Sequence, residues 1–180
     1  ILFKSKTISE SKAFFEEFKD GIANLTAKKI KAIRDRADDA TLKKMFAYFD
    51  SSNITPENLI TELREDFSSD KLIEVNSKED SVEKQLAVNS LESNGYRAVF
   101  AVDKLNEGWD VLNLFDIVRL YDTRDSRTGN RIGKTTMSEA QLIGRGARYC
   151  PFRLSPDQPA DQRKFDQDLG HEMRVCEELY

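Results

Sequence analysis

Five consecutive apolar residues at 98–102 (AVFAV) set the strongest limit on the fold of this chain. A turn signal, Asn94-Gly95, precedes the run, and an acidic loop at 103–110 (DKLNEGWD) follows it. So short a run, with no polar alternation, predicts a strand covered on both faces. Such strands belong to parallel sheets, whose crossover helices close both sides. Residues 1–4, 72–75 and 117–121 read as further strands. Residues 7–18 read as a helix, with Ile8, Phe14, Phe15 and Phe18 apolar and Ser9 and Ser11 in its first turns. Ser77 and Asp80 resemble a helix-start box ahead of Val82, Leu86 and Leu91. Strand–helix alternation of this kind implies an α/β fold, a parallel sheet flanked by helices.

Between the first two strands, residues 26–66 are helical in pattern and highly charged. Leu42, Met45, Phe46 and Phe49 fall at helical spacing and predict a core-facing stripe. Pro56, just after Thr55, suits the first turn of another helix. After Phe152 come Pro156 and Pro159, then a helical pattern through Phe165, Leu169, Met173, Cys176 and Leu179. The expected organisation is one domain over residues 1–152 with a helical insertion, and a linker with a helical extension over 153–180. Ile1 in place of a methionine predicts a segment of a longer polypeptide.

The chain carries a net charge of −4, so no global basic field favours a polyanion. The distribution is uneven, however: from residue 119 to 153 eight positive side chains face three negative ones. A local basic zone on an acidic body suits a phosphate-bearing partner. Cys150, Cys176 and His171 lack the spacing of a zinc site or a disulfide framework, so no metal site is expected. The same lone histidine and the lack of G-x-S-x-G disfavour a hydrolase triad. Without a signal peptide or a membrane-length apolar run, the expected location is the cytoplasm.

Chemistry concentrates in two places. Thr136 and Glu139 form a capping box that starts a helix. On it Gln141, Arg145 and Arg148 share one stripe, and Ala140, Ile143 and Ala147 lie opposite. Gly144 and Gly146 each cost about 1 kcal/mol relative to alanine in a helix, which implies close backbone approach there. Two guanidiniums and an amide on one rigid ridge could grip a triphosphate. The loop at 103–110 leaves the carboxyl end of the buried strand, the edge where open α/β sheets bind ligands. In it Gly108 permits close approach, Asp110 could accept from a ribose hydroxyl, and Trp109 could pack against neighbouring loops. Gly133-Lys134-Thr135 imitates a phosphate loop, but Gly129 is one residue too close to Gly133 and no strand precedes it. Neither is there an acid-pair motif for magnesium.

At these residues a family resemblance is plain. Residues 101–110 (AVDKLNEGWD) look like the fifth helicase motif of superfamily two, and 141–148 (QLIGRGAR) like the sixth. Residues 3–7 (FKSKT) are similar to the fourth. The longer stretches LNEGWDVLNLFDIVRLYDTR and QLIGRGARYCPF most resemble the restriction subunit of type III restriction–modification enzymes. Glu107 and Leu142 depart from the DEAD-box pattern, which has basic residues there, but fit the restriction branch.

The resemblance implies a RecA-like fold, the second motor domain of an ATP-driven DNA translocase. It assigns ATP contacts to Gly108, Asp110, Gln141, Arg145 and Arg148, with Arg145 and Arg148 catalytic at the γ-phosphate and Arg148 the better finger. Lys4, Ser5, Lys6 and Thr7 would lie near the DNA backbone. ATP and Mg2+ would be shared with a first RecA-like domain that holds the metal, so the chain alone should hydrolyse little ATP. The implied partners are double-stranded DNA, a C-terminal nuclease of the same polypeptide and a modification (methyltransferase) subunit. Competing readings are another superfamily-two DNA motor, such as a type I restriction subunit or a repair helicase, and a catalytically silent RecA-like assembly module.

Overall fold

The computed structural model describes residues 1–76, 82–91, 93–102, 116–121, 155–159, 165 and 167–171. Their centre is a four-stranded sheet, β1 (Leu2–Lys4), β2 (Leu72–Val75), β3 (Ala98–Ala101) and β4 (Ile117–Arg119), in the order β2-β3-β1-β4. Every neighbouring pair is parallel. Flanked by helices, this sheet is the α/β architecture of a RecA-like fold. The alternation of side chains along a strand then sorts the core into two layers. Phe3, Leu72, Ala98 and Phe100 face one way, while Leu2, Ile73, Val75, Val99 and Ala101 face the other. All of β3 is therefore buried, as its unbroken apolar run predicts.

Helix α1 (Ile8–Ala23) covers the first face with Phe14, Phe15 and Phe18. It begins where expected, with Thr7 as its N-cap outside the helix, but runs past Phe18 to Ala23. Gly21 does not stop it; termination waits for Asn24, whose side-chain Nδ2 donates to the Asp20 carbonyl at 2.9 Å.

Helix α5 (Val82–Asn89) packs on the opposite face of the sheet, against Ile73 and Val75 of β2. Val82 and Leu86 are 71% and 62% exposed, and burial falls on Val88 and Leu91 instead. Leu91 lies past the end of the helix at Asn89, in the turn that follows. The Ser77 and Asp80 box lies outside the described residues.

The insertion is a three-helix unit, α2 (Ala27–Asp35), α3 (Ala40–Ser51) and α4 (Pro56–Asp66), around Ile30, Phe46 and Ile60. Met45 and Phe49 pack against this core, but Leu42, the first member of the expected stripe, stays 37% exposed at its margin. Asn53 takes φ 56°, the left-handed residue that ends α3. Its N–H donates to the Asp50 carbonyl and that of Ile54 to the Phe49 carbonyl, which satisfies the last turn. Thr55 caps α4, with Pro56 in its first turn as the sequence predicts.

Two arginines join the insertion to the body. Arg64 donates to the Ala23 and Leu25 carbonyls at 2.9 and 3.0 Å. Arg97, just before β3, pairs with Asp66 at 2.9 Å. In the C-terminal stretch Phe165 is buried and stacks on the His171 ring at 4.6 Å. Turns occupy 167–171, Leu169 is exposed, and Met173, Cys176 and Leu179 lie outside the described residues.

Candidate functional site

Because all four strands run the same way, their carboxyl ends form one edge. Register places Lys4 beside Ala101 and Arg119, and Ala101 beside Val75, in a single row. The chain leaves this row into Ser5 and Lys6 after β1, Asn76 after β2, and Val102 after β3.

Polar groups that the sequence alone would put in solvent are buried here. Lys4 and Ser5 are 4% and 3% exposed. The Ser5 N–H donates to the Ala101 carbonyl at 3.0 Å, and the Leu120 N–H to the Lys4 carbonyl at 2.9 Å, so the ladder continues to the end of the strands. Lys6 and Thr7 are exposed. The Thr7 hydroxyl accepts from the Glu10 N–H at 3.2 Å, and the Thr7 N–H donates to Glu10 Oε2 at 2.9 Å. This reciprocal cap fixes the start of α1 against the edge and aims the positive end of the helix dipole outward.

Two residues that sequence reasoning missed belong to this neighbourhood. Asn76 is 4% exposed; its Nδ2 donates to Glu74 Oε1, while its Oδ1 has no hydrogen-bond partner among the described residues. Ser11, in the second turn of α1, is fully buried and its hydroxyl is also unpartnered among the described residues. The only signal for Asn76 was its position, a polar residue directly ending an apolar strand. Nothing in the local pattern of α1 distinguished Ser11 from a solvated serine.

Of the expected site residues, the structure brings Lys4, Ser5, Lys6 and Thr7 to the carboxyl edge. Gly108, Asp110, Gln141, Arg145 and Arg148 lie outside the described residues, as do the Thr136 and Glu139 box and the 133–135 imitation of a phosphate loop. On the neighbouring strand, the Arg119 guanidinium lies over the Tyr121 ring, 5.5 Å from its centroid. Among the described residues no group of three or more His, Cys, Asp or Glu could hold a metal ion. No helix among them is long and apolar enough to cross a membrane. The edge can donate hydrogen bonds and positive charge, which suits an anionic oxygen better than an apolar ligand.

The chain is similar to a protein of Haemophilus influenzae described as a probable type III restriction-modification enzyme HindVIP Res subunit. The two are 33% identical over 153 residues, covering 73% of this chain and 30% of the relative. An uncharacterized protein of the same organism is 58% identical over 45 residues, 25% of this chain and 10% of that protein. The family HI_1054_N, described as an N-terminal region, matches residues 135–180. No solved structure matches the chain. The first of these likenesses supports kinship with Res subunits, of which this chain spans about 30% of the length.

Proposed function

We propose that this chain is a motor segment of a type III restriction endonuclease, the second RecA-like domain of an ATP-driven DNA translocase. The observation that carries the reading is the 33% identity with a Res subunit across 73% of the chain. The parallel sheet supports it, because its carboxyl edge is where α/β folds bind ligands.

On this reading Arg145 and Arg148 reach the γ-phosphate of ATP bound against a first motor domain, and offset charge building on the transferring phosphoryl group. An arginine in that role is worth roughly 10³–10⁵ in rate. Gln141 contacts the nucleotide from the same ridge, Asp110 accepts from the ribose, and Gly108 lets the loop approach the nucleotide closely. Mg2+, held by the first domain, would supply further charge neutralisation. Lys6 and Thr7 offer donors to DNA phosphates, while buried Lys4 and Ser5 hold the loop that presents them. The partners are double-stranded DNA, the first motor domain and nuclease of the same polypeptide, and a modification subunit, all in the cytoplasm.

The test compares ATP hydrolysis by the 180-residue chain with that of the longer Res-type polypeptide, with and without duplex DNA. The expected result is negligible turnover by the chain and DNA-stimulated turnover by the polypeptide. Steady turnover by the chain alone, or indifference of the polypeptide to DNA, would contradict the reading.

A further inference from the structure

We infer that the outer face of α2, in the helical insertion, is a second contact for the phosphate backbone of duplex DNA. The choice of DNA as the polyanion rests on the motor reading above; the face itself rests on charge and geometry. Helix α2 and its C-cap carry Lys28, Lys29, Lys31, Arg34 and Arg36 against a single acid, Asp35. All five cations are exposed.

Two of the five serve the fold. Arg34 holds Asp50 of α3 through paired bonds of 3.0 and 2.6 Å. Lys29 donates to the Asn24 carbonyl at 3.0 Å. The side chains of Lys28, Lys31 and Arg36 make no hydrogen bond or ion pair among the described residues. Acids are not scarce, since the chain has 32 against 28 basic residues. They are placed elsewhere: α4 carries Glu57, Glu62, Glu65 and Asp66 with one arginine, so the insertion is polarised between helices.

At about 100° per residue, Lys28, Lys31 and Arg36 each lie 100° or more around the helix from buried Ile30. The exposed apolar residue of α2, Ile33, lies on the Ile30 side. The face is therefore charge without an apolar anchor. Protein interfaces are depleted in lysine and centre on apolar or aromatic residues. Phosphate contacts need only cations held on a rigid support. The core of Ile30, Phe46 and Ile60 provides that support.

This face is distinct from the carboxyl edge. Thr7 opens α1 at that edge, and the 16 residues of α1 span about 24 Å before α2 begins. Arg64 and Arg97 fix the far end of α1 and the start of β3 to α4. Contacts at α2 would thus touch DNA well away from Lys6 and Thr7.

The experiment follows binding of a labelled non-specific duplex to the 180-residue chain by fluorescence anisotropy over a salt series. Each phosphate contact contributes about 0.9 to the slope of log affinity against log salt. The variant Lys28→Gln/Lys31→Gln/Arg36→Gln is expected to bind at least ~10-fold more weakly at low salt and to lose roughly 2 to 3 from that slope. Arg36→Lys, which keeps the charge, should hold the slope, and circular dichroism should confirm that both variants stay helical. If the triple variant binds as tightly as the parent while Lys6→Ala binds more weakly, the α2 contact is overturned and the motor reading stands. If the unsubstituted chain binds no duplex, both fall. If α2 instead captures polyglutamate and the chain ignores duplex, the DNA assignment is overturned in favour of an acidic protein partner.

Discussion

The ring of Phe100 on β3 stacks on that of Phe3 on β1, centroids 5.0 Å apart and planes 20° apart. Parallel register puts both on one face, and Phe14, Phe15 and Phe18 of α1 close over Phe100 at 5.1 to 6.0 Å. One aromatic cluster thus fixes α1 to the two central strands. Phe100→Ala is expected to cost about 3–5 kcal/mol, as large core truncations do. Urea unfolding would read this as a lower midpoint. A loss under about 1 kcal/mol would contradict the packing, given how costly such truncations are.

Ser11 should behave in the opposite way. A buried unsatisfied hydroxyl costs roughly 1–3 kcal/mol, and alanine is the better helix former. Ser11→Ala is therefore expected to raise the thermal midpoint of the chain. A lower midpoint would mean that the hydroxyl holds a stabilising partner.

Thr7 makes the capping box with Glu10. Thr7→Ala should lose about 1 kcal/mol, and Thr7→Ser should lose much less because serine caps as well. Equal stability of all three proteins would show that the cap contributes nothing measurable.

Asp39 caps α3. Its carboxylate accepts from the Leu42 and Thr41 N–H groups at 3.1 and 2.8 Å. These bonds hold its pKa below the ordinary carboxylate range, Leu42 contributing most. A depressed pKa means that the cap's contribution is complete above the unfolded-state value and is lost as pH falls through the folded one. Carbon NMR titration of the Asp39 carboxyl should give a midpoint below that of a free aspartate. A midpoint at or above it would remove the cap from the account.

Much of this was legible locally. The strands at 72–75 and 98–102 could be read because an apolar run bounded by turns has few other solutions. Pro56 after Thr55 marked a helix start for stereochemical reasons. Which side of α5 is buried was not legible: Val82 and Leu86 are exposed, while Val88 and, past the helix end, Leu91 are buried. Contacts between distant segments left no local trace. Arg64 reaches the Ala23 and Leu25 carbonyls across about forty residues of chain, and no spacing rule foretells that. The carboxyl edge itself was legible through Lys6 and Thr7, but the burial of Lys4, Ser5 and Asn76 depends on how the strands align. The motifs of Asp110 and Arg148 were legible as residue type and order, and the roles of these two residues stand as a proposal.

The most direct measurement is DNA-stimulated ATP hydrolysis by the longer Res-type polypeptide carrying Arg148→Ala, with nucleotide affinity and thermal midpoint measured alongside. Turnover is expected to fall roughly 10³-fold or more, with binding and midpoint close to those of the parent. Undiminished turnover in a folded variant would contradict the proposed role of Arg148.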